Sequence, residues 1–217
     1  MIHFVSPNFD HRKLQPPFYR DLIDVFEDRV RNWLLAPAKL MLNQPPRFGL
    51  VPAAAIVVGY IEPIEIYMSG EDSNRRSREF FCRGFSRIFQ AEGQPVQVQD
   101  AVSNALYSAL RCGFAHAGMP KNGINFSLDF PKPFVITWPM KDGVFLAEGK
   151  LQSAIVNPKL MIDRIEKHFD AYVRELRRAT DVTLVSNFQK AVSLNWAIGE
   201  PERLVAMTEN QFLRGEL

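Results

Sequence analysis

The 217-residue chain carries 26 basic and 24 acidic side chains, a net charge of +2, with 47% hydrophobic and 23% charged residues. This is ordinary for a globular protein of one domain with an insertion, and it excludes nucleic-acid binding through bulk positive charge, so any such contact has to use a local basic patch. Cys82 and Cys112 are the only cysteines and form no C-x-x-C pair, which speaks against a disulfide framework or thiolate zinc site and for a reducing, cytoplasmic setting.

Residues 1–16 read as an irregular N-terminal arm punctuated by Pro7 and Pro16, with no apolar h-region that would mark a secretory signal. The helical domain is expected over 17–198. Its first helix should open near Pro17, with Phe18, Leu22, Val25, Phe26, Val30 and Trp33 inward at three-and-four spacing, and should end or kink at Pro37. The run 50–68 has the length and apolarity of a membrane span. Glu62, Glu65, Gly59, Pro52 and Pro63 interrupt it, so it reads as a buried core helix over about 51–68, kinked at Pro63, and no membrane association is expected.

A third helix should follow the 69–74 loop, with Ser77 as a candidate cap. Phe80, Phe81, Phe85, Ile88 and Phe89 form its inner stripe, and Arg75, Arg76, Arg78, Arg83 and Arg87 its basic outer face. Gly93 and Pro95 break the chain before a fourth helix over about 98–117, stopped by Gly118 and Pro120. Between 123 and 150 the period changes to two. Segments 124–130, 134–138 and 144–147 alternate as strands, and Lys141-Asp142-Gly143 signals a hairpin turn. Asn157 and Pro158 supply the cap and first residue of a fifth helix reaching about 179, and a short helix over about 183–197 precedes a peripheral tail, 199–217. The fold class is therefore mostly α, an antiparallel helical bundle with a small β-hairpin or sheet insertion.

Phosphate-binding glycine loops, nucleophile elbows and H-E-x-x-H are absent. The four histidines His3, His11, His116 and His168 are scattered, none at ligand spacing to another histidine or cysteine, so neither a metal nor a cofactor is expected. What remains is the end of the fourth helix, where Arg111 and His116 stand five residues apart. On an ideal α-helix that is about 140° around the axis, off a common face. They converge only if the helix loosens near Gly113, or if His116 points into a cleft made with another helix or subunit. A glycine in a helix costs about 1 kcal/mol relative to alanine, which is tolerable where another backbone or a ligand comes close.

Segment 106–116, LYSALRCGFAH, resembles the R-x4-6-H motif of HEPN domains, and the order of its flanking elements resembles that family over about residues 17–180. The resemblance implies a metal-independent endoribonuclease acting as a homodimer, of the toxin or phage-defence type, with an antitoxin protein as a further partner. Arg111 would hold the scissile phosphate and stabilise its developing charge. His116 would act as general acid or base at the 2′-OH or the leaving oxygen, leaving a 2′,3′-cyclic phosphate. Cys112 departs from the polar residue that often follows the arginine in active members. The alternative is a catalytically silent HEPN-like module that binds nucleotide, RNA or a partner protein and dimerises.

Each candidate also has a plain structural reading. Arg111 fits a solvated helix-end residue, and His116 fits a residue favoured by the helix C-terminal dipole. Tyr107, one turn before Arg111, either touches substrate or packs. Glu62 either orients Arg111 or His116 or forms a structural ion pair. Cys112 fits a small packing residue. Arg75 and Arg76, with the other arginines of the third helix, either track an RNA backbone or form a solvated face.

Overall fold

The computed structural model describes residues 4–89, 96–146 and 148–196, together with positions 210, 214 and 215. The tail expected over 199–217 therefore lies almost wholly outside the described residues. The described chain is mostly helical, with a few small sheets.

The N-terminal arm is regular where irregularity was expected. Strands β1 (Phe4–Ser6) and β2 (Phe9–Asp10) pair antiparallel, and a 3-10 turn (His11–Leu14) follows and buries Leu14. The arm is tied to the first helix by the buried Asp28, which accepts from the backbone N–H of Asn8 at 2.8 Å and from its side-chain amide at 2.6 Å. These are charge-assisted bonds, stronger than neutral ones.

Helix α1 (Tyr19–Arg29) buries Leu22, Ile23, Val25 and Phe26. It does not end at Pro37. A π-helical stretch, Val30–Leu35, carries it into α2 (Ala36–Leu42), with the Ala36 N–H bonded to the Arg31 carbonyl. Proline lacks an N–H and its ring crowds the carbonyl four residues back; widening the winding just ahead of Pro37 relieves that crowding. The same widening turns Trp33 off the buried stripe, leaving it exposed, and Phe18 at the cap position is also exposed.

Helix α3 (Pro46–Ser69) is the centre of the molecule. It runs unbroken through Pro52 and Pro63 and packs against α2, α4 (Ser77–Ile88), α6 (Pro158–Arg178) and α7 (Val182–Trp196). By length and composition alone it is a candidate membrane span. Its most apolar window is 61% buried inside the fold, which is the behaviour of a core helix. Leu50, Ala53, Ala54, Val57, Val58, Ile61 and Ile64 face inward, each larger aliphatic contributing about 2 kcal/mol on burial. Gly84 brings α4 against this helix so closely that a Cβ there would stand 2.0 Å from the Ile61 carbonyl oxygen.

Helix α6 follows the sequence reading. The Asn157 side chain accepts from the Leu160 N–H at 3.2 Å, Pro158 occupies the first turn, and Met161, Ile162, Ile165, Phe169, Tyr172, Val173 and Leu176 are buried. Phe26 of α1 joins Phe169 (5.5 Å between centroids) and Phe188 of α7 (5.4 Å) in the aromatic core.

The β region holds two strands more than the three expected, one at Met140–Lys141 within the insertion and one at Ser153–Val156 just beyond it. Strands β3 (Ile124–Phe126) and β4 (Phe134–Thr137) do not pair with each other; both flank β7 (Ser153–Val156), parallel and antiparallel respectively. The expected 141–143 turn joins the two-residue strands β5 (Met140–Lys141) and β6 (Val144–Phe145), with Asp142 and Gly143 both at positive φ, as a primed hairpin turn requires. Phe134 of β4 packs on Phe85 of α4 and on Phe89 just past its end, which docks the sheet on the helices.

Candidate active site

Helix α5 (Val96–Leu106) does not continue as an α-helix into the Arg-His segment. Two π-helical stretches, Tyr107–Arg111 and Gly113–Ala117, follow it, flanking Cys112, whose N–H bonds to the Tyr107 carbonyl. A winding bonded i to i+5 turns less per residue than an α-helix, so it brings residues five apart towards one face. This is the loosening that Arg111 and His116 need. Gly113 is required for a definite reason: a Cβ there would lie 2.7 Å from the Met119 carbonyl oxygen and 3.0 Å from Pro120 Cα. The chain turns at Gly118 in the left-handed conformation (φ 69°) and folds back, with the Lys121 N–H on the Ala109 carbonyl (3.0 Å) and Lys121 Nζ on Ser108 Oγ (2.9 Å). The neighbour that makes glycine necessary is thus backbone of the same chain.

Arg111 is not a free helix-end residue. Its Nε and Nη2 reach Glu62 Oε2 at 3.1 and 3.0 Å, and its side chain keeps 30% exposure. Glu62 also accepts from Ser73 Oγ at 3.2 Å and from Ser77 Oγ at 2.7 Å. Ser77 therefore does not cap α4; its hydroxyl serves Glu62, and α4 starts without a side-chain cap. Three hydrogen bonds and one ion-pair contact, from three segments of the chain, fix this carboxylate and through it one edge of the guanidinium, while Nη1 has no partner among the described residues. His116 is exposed and makes no hydrogen bond or ion pair with a described residue.

The other candidates fall into place around this pair. Tyr107 is buried, edge-on to Phe81 (5.4 Å) with the Arg78 guanidinium over its other side (5.4 Å), so it packs. Cys112 is partly buried against the core, and both cysteines are free. Arg76 is bound by Glu71 (2.9 Å) and Glu79 (2.6 Å), whereas Arg75, at φ 59°, has no partner among the described residues.

One polar cluster escaped the sequence reading. Glu65, fully buried one turn beyond Glu62, binds Arg83 Nη2 at 2.6 Å and the Nε of Arg87. Beside it His168 Nδ1 lies 3.2 Å from the Tyr60 hydroxyl. Burial, and then the Arg87 charge, push the His168 imidazole down to about 4, so it is neutral at pH 7. The available signal was a carboxylate inside an apolar helix, together with arginines four apart on the next helix. Glu65, Arg83 and Arg87 satisfy one another as a buried charge requires.

Between α4 and α5 lies an open groove of about 700 Å³ lined by Arg75, Arg76, Arg78, Arg83 and Arg87, with Glu79, Asp100 and Asn104. Among the described residues no three His, Cys, Asp or Glu side chains gather as a metal site would need. No family model, no curated protein and no solved structure matches this chain.

Proposed function

We propose that the chain is a HEPN-like endoribonuclease, working in the cytoplasm as a homodimer in which two Arg111/His116 pairs share one cleft. The observation that carries the reading is the hold of Glu62 on Arg111, in the middle of a π-wound segment whose winding brings residues five apart towards one face. An arginine whose Nε edge is pinned and whose Nη1 is unengaged is pre-organised to meet a phosphate oxygen without first losing side-chain freedom. An exposed histidine five residues further along the π-wound segment suits proton transfer.

In the proposed reaction the imidazole of one His116 accepts the proton of a ribose 2′-OH. The 2′-oxygen attacks the adjacent phosphorus, and the bond from phosphorus to the 5′-oxygen breaks. His116 of the second copy returns a proton to that oxygen, leaving a 2′,3′-cyclic phosphate and a free 5′-OH. Arg111 stabilises the charge that builds on the phosphoryl oxygens. Exposed His116, without a partner among the described residues, supports the dimer, because the second copy supplies both the other histidine and the opposite wall.

The test is cleavage of tRNA, rRNA and mRNA in EDTA by the wild type, Arg111→Ala and His116→Ala. The expected result is cyclic-phosphate ends from the wild type and a loss of about 100-fold or more in each variant. No cleavage by the wild type across the panel would sink the nuclease reading and leave the silent RNA- or protein-binding module in its place. A toxin should also be poorly tolerated on expression as wild type and well tolerated as His116→Ala, with a neutralising antitoxin as its natural partner.

A further inference from the structure

We propose that the groove between α4 and α5 binds the sugar-phosphate backbone of a single RNA strand and delivers it to Arg111 and His116; this rests on the nuclease reading and names the path of its substrate. The groove is lined by five arginines and two carboxylates, on a chain whose whole net charge is only +2. Glu65, Glu71 and Glu79 pair with Arg76, Arg83 and Arg87, so among the described residues the uncompensated positive charge of the groove is that of Arg75 and Arg78, and it forms the local electrostatic footprint.

The arginines are spread along the groove instead of converging on a point. From Arg78 to Arg87 helix α4 advances about 14 Å, and Arg75 and Arg76 lie just before its first turn. Guanidinium forks spaced along such a length match a chain of phosphates, whereas one small anion needs donors aimed at a single centre. The groove is open, about 700 Å³, and runs along the seam of two adjacent helices, which suits one extended strand. Buried Glu65 lies beneath and fixes Arg83 and Arg87, so their remaining donors are already oriented. Arg75 and Arg78 are held by no carboxylate among the described residues and are the most available to a phosphate.

The groove is also joined to the candidate active site. Arg78 lies against Tyr107, which opens the π-wound segment, and Ser77, its neighbour, holds the Glu62 that holds Arg111. A strand lying along Arg87, Arg83 and Arg78 is led to the Arg111 end.

The experiment measures fluorescence anisotropy of a labelled 12-nucleotide single-stranded RNA in EDTA, from 50 to 200 mM salt. The parent protein is the full chain carrying His116→Ala, which leaves the RNA intact. Adding Arg75→Ala with Arg78→Ala breaks no ion pair, and adding Lys167→Ala with Arg174→Ala on α6 is the control. The groove pair should weaken binding roughly tenfold at 100 mM salt and flatten the plot of log affinity against log salt by about 1.4, at about 0.7 per phosphate contact for a single strand. The control should stay within about twofold. Equal binding by parent and groove pair, or an equal loss in the control, overturns the proposal. So does displacement of the RNA by polyglutamate as readily as by unlabelled RNA, which would make the ligand an acidic peptide. Displacement by tripolyphosphate as effectively, per phosphate, as by RNA would assign the groove to free phosphates and also overturn it. Binding lost in the groove pair with no cleavage by wild type keeps the groove and removes the nuclease; wild-type cleavage with binding unchanged in the groove pair does the reverse.

Discussion

His168 and Glu65 carry the electrostatics of the core. A histidine held down at about 4 in the folded state takes up its proton only below that pH, while the unfolded chain takes it up near 6.5. The unfolded state therefore binds more protons between about 6.5 and 4, and stability falls as pH falls through that window. The His168 contribution, of order 2 kcal/mol after allowing for its partial exposure, is fully present above pH 6.5. Urea unfolding at pH 7.5 and pH 5 should show the loss. His168→Gln, which keeps a partner for the Tyr60 hydroxyl, should flatten that part of the profile; an unchanged profile in the variant would place the dependence elsewhere. Glu62 belongs to the same scale. As a positioning residue its loss should appear in kcat more than in KM: Glu62→Gln is expected to lower kcat about tenfold while unfolding shifts by only about 1–2 kcal/mol.

At the scale of elements, the contact of α4 on α3 is set by a missing side chain. Gly84→Ala would drive a Cβ into the Ile61 carbonyl, and backbone cannot swing away as a side chain can. We expect a loss of about 2–3 kcal/mol in urea unfolding, against a gain of up to about 1 kcal/mol for Gly59→Ala inside α3, whose Cβ would meet nothing. Much of this scale could be read in the sequence. Helix α6 was legible because its cap, first-turn proline and apolar stripe agree, and α3 because Glu62, Glu65, Pro52 and Pro63 turn so long an apolar run from a membrane span into a core helix. The π winding at Val30–Leu35 and over 107–117 was not legible. An extra residue per turn leaves no signature in composition, and only the neighbours of Pro37 and Gly113 make it favourable. Strand β7 was missed because four residues directly before a helix cap are too few to show a period.

For the whole molecule, the candidate site was legible as residue types and not as geometry. Arg111 and His116 stand out by spacing, and Glu62 stands out as a carboxylate in an apolar helix. That Glu62 holds Arg111 depends on the crossing of α3, α4 and the π-wound segment, which no local pattern encodes. The pairing of Glu65 with Arg83 and Arg87 has the same origin. The dimer belongs to this scale too. Light scattering after size exclusion should give twice the mass of one chain, and cleavage should fall faster than linearly on dilution below the dissociation constant. A monomer that cleaves with undiminished specific activity would remove the shared cleft.

The order of the strands has a consequence for synthesis. The middle strand of the three-stranded sheet is the last of the three to be made. When β4 has been synthesised β7 is 19 positions from completion, about one to four seconds at usual elongation rates, and when β3 has been synthesised it is 30 positions away, about two to six seconds. During that interval both outer strands lack their hydrogen-bond partner, and the sheet is completed as the chain reaches Asn157 and begins α6.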